Sequence, residues 1–175
     1  AHLETESVDV RELVDDVVAA NQPLAESQGS RIVLDLPQDP CVAAVDPRRI
    51  ERVVRNLLSN AIEHGQGEPI DVRVAGSEDA IAISVRDHGR GLDDADLDRV
   101  FDRFWRADPA RARTLGGTGL GLSIALEDAR LHGGRLSVWG RPGEGALFRL
   151  TVPRVAGHPL PADSPLPLDP TQVQV

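Results

Sequence analysis

The chain contains no lysine, no methionine and no tyrosine, a single cysteine, and only 3% aromatic residues among its 175. Each absence excludes something. A Walker-type phosphate loop and a eukaryotic-type kinase site both place a lysine at the phosphates, so neither can operate here. All 19 basic residues are arginines, and any bound phosphate must be met by guanidinium groups or backbone N–H. The lone Cys41 forms no internal disulfide, which fits a reducing compartment, and the five histidines show no metal-ligand spacing. No apolar run approaches the length of a membrane span or signal peptide. At a net charge of −9, the chain lacks the basic footprint that nonspecific nucleic-acid or lipid binding requires. Without methionine there is no initiator, and the sequence is expected to be either a processed chain or, in preference, an excised piece of a longer one.

What is present suits one soluble domain with an aliphatic core: 41% hydrophobic and 27% charged residues. After an extended "SVDV", the apolar set Val10, Leu13, Val14, Val17, Val18 repeats at helical period until Gln28-Gly29. "RIVLDL" and "CVAAV" read as two short strands about the turn "PQDP". Asp46 as N-cap and Pro47 in the first turn open a second helix, whose stripe Ile50, Val53, Val54, Leu57, Leu58, Ala61, Ile62 runs to Gly65. "PIDVRVAG" and "AIAISVRD" alternate with period two and predict a hairpin about "SED". Between Gly89 and Gly117 the pattern dissolves except near "DADLDRVFDRF", and the stretch is expected to be a lid. A third helix in "TGLGLSIALEDARLHGG" and strands "RLSVWG" and "GALFRLTVP" complete the pattern. Residues 155–175 are Pro-rich and unpatterned, predicting a disordered tail.

Four stretches can carry chemistry. Asn56 and Asn60, four apart on the second helix, share a flank beside the core stripe, where two amides can coordinate a hard cation through their oxygens or hydrogen-bond phosphate. In "DHGRGLDD", Asp87 can accept hydrogen bonds from an exocyclic amine, with Gly89 and Gly91 beside it. "FDRFWRAD" concentrates Phe101, Phe104 and Trp105 in an aromatic-poor chain, the two phenylalanines as anchors to the core, and Arg103, Arg106, Arg111 and Arg113 bring positive charge to the lid. "GGTGLGLSIA" runs a glycine-rich turn into a helix start, where free backbone N–H groups converge on phosphate. Taken singly, each could be an ordinary boundary polar, turn or solvated run.

In this order the four resemble the N, G1, F and G2 boxes of the ATP-binding catalytic domain of bacterial two-component sensor histidine kinases, over about residues 8–153. The resemblance implies the Bergerat (GHKL) α/β two-layer sandwich: a mixed sheet of about five strands, three main helices on one face, and a mobile ATP lid over about 92–116. Residues 1–7 would be the end of a preceding dimerisation helix or a linker, and 8–154 the catalytic domain. It implies ATP and Mg²⁺, with Asn60 as metal ligand and Asn56 orienting phosphate or metal-bound water. Asp87 would read the adenine amine, with Gly89 and Gly91 making room for the base. Gly117, Thr118, Gly119, Leu120 and Gly121 would lie along the phosphates. Arg106 would meet the γ-phosphate, with Arg111 and Arg113 nearby. The implied partners are a dimerisation domain bearing the phosphoacceptor histidine and a response regulator. The fragment is expected to be monomeric and cytoplasmic, in a membrane-anchored parent.

The sequence departs from the family pattern at Glu63 and His64, where many members carry lysine and an aromatic, which predicts modest nucleotide affinity. Gyrase-type and chaperone ATPases and anti-sigma serine kinases share the fold, and "NAIEHG" resembles the last. They carry a glutamate where this chain has Asn56, and an amide cannot serve as general base. A non-catalytic interaction module is the remaining alternative.

Overall fold

A computed structural model of the chain describes residues 2–105 and 119–172. Its centre is a mixed five-stranded sheet in the order β2-β4-β5-β7-β6. The strands are β2 (Ile32–Asp35), β4 (Ile70–Gly76), β5 (Ala80–Asp87), β6 (Arg135–Arg141) and β7 (Gly145–Pro153). The only parallel pair among them is β2 with β4 at one edge. Three long helices cover one face: α1 (Val10–Ser27), α2 (Pro47–His64) and α4 (Gly121–Leu131), while a short α3 spans Asp94–Arg99. The sandwich expected from the sequence is the fold found.

The second helix begins where its capping residues predict. Asp46 accepts the Arg49 backbone N–H, Pro47 occupies the first turn, and all seven stripe residues are buried. Likewise, the β4–β5 hairpin closes through Ser77 N–H donating to Ala80 C=O.

The two short strands about "PQDP" do not pair with each other. β3 (Val42–Val45) instead forms a separate antiparallel ribbon with β1 (Glu6–Asp9), while β2 joins the large sheet. Contacts with the start of α1 supply the reason: the Arg11 Nη1 donates to the carbonyls of Pro37 and Gln38, and Asp9 accepts the Cys41 N–H. The connection is thereby pinned at α1, and β3 is delivered beside β1. Glu6 and Ser7 thus belong to the domain's own ribbon rather than to a preceding helix, and residues 2–5 have no regular structure.

The expectation of disorder after residue 155 also fails over 155–172. This segment crosses the sheet face opposite the helices, where Leu166 is buried. Arg149 donates to Leu166 C=O at 2.9 Å, Arg135 to the carbonyls of Pro161 and Ala162, and Thr151 bonds Ser164. Arg141 meets Asp169 at 3.4 Å. A Pro-rich segment has few N–H donors but keeps every carbonyl, and arginines of β6 and β7 supply partners for three of them. Leu166→Ala is expected to cost about 2 kcal/mol in denaturant unfolding. An unchanged midpoint would show that the segment contributes nothing to stability.

Candidate nucleotide-binding site

Three elements deliver their polar groups to one end of the sheet. Asn60 lies half-buried on the flank of α2, Asp87 ends β5, and the segment after it turns back across the β6–β7 hairpin, where Gly143 N–H donates to Arg90 C=O at 2.8 Å. Between them is a narrow, partly open pocket whose free volume in this structure is about 10 Å³, on the scale of one water molecule. Leu92, Val100 and Phe148 form apolar walls, Asn60, His64, Asp87 and Arg90 are its polar lining residues, and Trp105 also borders it. The lining, apolar walls with a few convergent polar groups, matches the chemistry of a flat heterocycle carrying a hydrogen-bond donor, and the walls must move apart to admit one.

Asp87 is 2% exposed. Burial pushes its carboxyl above the usual carboxylate range, against the opposing effect of the Gly89 and Ala146 backbone N–H groups that it accepts. The group is held on one side and faces the pocket on the other, so it can accept a donor from a ligand. Asn60 has no side-chain hydrogen bond among the described residues, leaving its amide oxygen available.

Asn56, one turn earlier, is placed differently. Its Nδ2 donates to Gly121 C=O at 3.0 Å, tying α2 to the start of α4 and leaving its oxygen uncommitted. Gly119 has a positive φ of 77°, and its carbonyl accepts the Phe104 N–H at 2.8 Å. Leu120 is the N-cap position of α4 and Gly121 its first residue. Arg106, Arg111, Arg113, Gly117 and Thr118 lie outside the described residues.

Gly89 and Gly91 answer to the protein's own backbone. A Cβ on Gly89 would stand 1.8 Å from His64 O, and one on Gly91, at φ +76°, the same distance from Arg141 O. Of the two phenylalanine anchors, Phe101 packs edge-on to Phe148 with ring centroids 6.0 Å apart. Phe104 does not anchor the loop: it is 68% exposed and held at a positive φ of 63°. The sequence reading did not place His64, Leu92 or Phe148 in the pocket. His64 could have been found as the residue one helical turn beyond Asn60, whereas the other two depend on pairing.

Residues 45–156 match the family described as "Histidine kinase-, DNA gyrase B-, and HSP90-like ATPase". The chain belongs to this ATPase family. It is 51% identical over 170 residues to the sensor histidine kinase MtrB of Mycobacterium tuberculosis, covering 97% of this chain and 30% of that protein. It is 41% identical over 156 residues to the histidine-protein kinase AfsQ2 of Streptomyces coelicolor, covering 87% of this chain and 29% of the relative. The chain thus spans under a third of the length of these relatives. Among solved structures, full-length ShkA in complex with AMPPNP superposes at a TM-score of 0.79 with 24% identity, covering 95% of this chain and 33% of that one. The nucleotide-free catalytic domain of ThkA gives 0.75 at 23%, covering 87% and 99%. At these identities the structural likeness shows a shared fold, that of the family's catalytic domain.

Proposed function

We propose that this domain binds ATP with Mg²⁺ and, within a longer sensor kinase, transfers the γ-phosphoryl group to a histidine of a dimerisation domain, from which a response regulator receives it. The observation that carries the reading is Asp87, a buried carboxylate lining a small apolar-walled pocket; in this reading it would accept the adenine amine. The half-identical sensor kinases support the reaction class.

The donor set fits a hard cation only with a ligand's help. Among the described residues no three His, Cys, Asp or Glu side chains converge, so Asn60 would be one oxygen ligand and phosphate and water oxygens would complete the shell. Bound Mg²⁺ would neutralise phosphate charge. Asn56, with its oxygen free, would orient metal-bound water or phosphate. Backbone N–H groups of Gly117, Thr118, Gly119, Leu120 and Gly121 would approach the phosphates, and Arg106 the γ-phosphate, with Arg111 and Arg113 adding charge. Positioning and charge neutralisation account for most of phosphoryl-transfer catalysis, so the absence of lysine is no obstacle. Asn56 cannot take a proton from water or serine, which favours histidine as acceptor, a nucleophile that needs no base. The domain alone is proposed to be monomeric and to work in the cytoplasm, attached to a membrane-anchored parent.

Calorimetric titration with a non-hydrolysable ATP analogue tests this. The wild-type domain is expected to bind more tightly with Mg²⁺ than without it. Asn60→Ala is expected to remove that difference while leaving metal-free affinity unchanged. No heat from the wild type at millimolar analogue would retire the reading.

A further inference from the structure

Helices α2 and α4 run antiparallel and are joined by polar contacts at three levels. At the nucleotide end is the Asn56 to Gly121 bond. In the middle, Asp128 of α4 is 1% exposed and takes three charged hydrogen bonds: the Arg52 fork at 2.8 and 2.7 Å, and Arg49 Nη1 at 2.9 Å. At the far end, His132 Nε2 accepts the Asp46 N–H at 3.1 Å while its Nδ1–H donates to Asp128 C=O at 2.7 Å. The incoming chain is fastened at this level too. Glu4 N–H donates to Asp46 Oδ2 at 3.1 Å, Arg49 Nη2 donates to His2 C=O at 3.5 Å, and Arg49 Nε lies 3.5 Å from Asp46.

A buried carboxylate held by two arginines is a poor source of stability compared with well-packed apolar residues, and the best-attested use of such a group is to fix register. Sliding α4 along α2 by one turn would break the contacts at all three levels together. The middle level lies on the helix that begins with Gly121 and on the helix that carries Asn56 and Asn60.

We infer that Asp128 is a positioning residue for the triphosphate: with Arg49 and Arg52 it sets the register of α4, and of Gly119 and Gly121 at its start, against the asparagine flank of α2, and it links that register to how residues 2–4 are held. This rests on the nucleotide reading above.

The test compares adenosine, which reaches only the Asp87 end, with a non-hydrolysable ATP analogue and Mg²⁺. Asp128→Asn is expected to weaken the analogue about tenfold and leave adenosine unchanged. Removing residues 1–4 is expected to shift the analogue in the same direction, and combining it with Asp128→Asn to give less than the product of the two effects. Equal weakening of both ligands would mean general loosening and would overturn the inference, as would an unchanged ratio in a folded variant. If Asp128→Asn does not fold, Arg52→Lys keeps the charge on a half-exposed residue but loses the fork, and must shift the same ratio. A wild type that binds neither ligand sinks the nucleotide reading and this inference with it. A wild type that binds both, with unshifted variants, removes the inference alone.

Discussion

Asp87→Asn is expected to abolish nucleotide binding and, in the same protein, to raise the melting temperature of the ligand-free domain at neutral pH. Both effects come from burial. The Asp87 carboxyl is raised above its unfolded value because its site excludes water. A carboxylate shifted this way adds stability below its unfolded pKa and loses it as pH rises through the folded one. Near neutrality the ionised form therefore opposes folding, and asparagine relieves the strain while offering an oxygen to the Gly89 N–H. The same amide turns donors toward an adenine amine, which leaves donor against donor, and affinity should fall by about a hundredfold or more. Thermal scans across pH, in parallel with calorimetry, check the pair. The gap between variant and wild type should close as pH falls toward the unfolded value, and analogue affinity of the wild type should weaken over the same descent. A less stable Asp87→Asn domain at neutral pH would show that the carboxylate is structural.

Gly89→Ala is expected to destabilise the domain by about 3 kcal/mol or more, because a Cβ would sit 1.8 Å from a backbone carbonyl that α2 holds in place. Gly143→Ala is the control. It has a positive φ of 76° but nothing within 4 Å of the added carbon, so backbone preference alone should cost about 1 kcal/mol. Urea unfolding of both separates the cases. A Gly89→Ala domain as stable as wild type but unable to bind nucleotide would restore the glycine to the ligand.

Local signals predicted the elements well, because α2 is specified by Asp46, Pro47 and an unbroken stripe, and β4 to β5 by strict alternation about a three-residue turn. Pairing was less legible. Nothing near "PQDP" announces that Arg11, some 26 residues before, pins that turn and sends β3 to β1. The tail misled for a related reason: low periodicity and many prolines signal disorder only if no surface awaits the carbonyls, and that surface is made of arginines on β6 and β7. At the site, Asn60 and Asp87 were legible as residue types at fixed spacing, whereas Leu92 and Phe148 were not. Asp128 was hidden by helix periodicity. An acidic residue on the inner face of α4 makes sense only when Arg49 and Arg52, 76 or more residues earlier, are seen beside it.

The close approach of Gly89, Gly91 and Gly145 to neighbouring backbone bears on how such chains would decay. Selection for folding alone would retain all three glycines after nucleotide had been abandoned, so their presence in a relative says little about whether it is still active. Asp87 has the opposite character, since burial works against its charge when no ligand is bound. A lineage released from nucleotide should lose that aspartate early, and it is the residue to inspect first when asking which relatives still work.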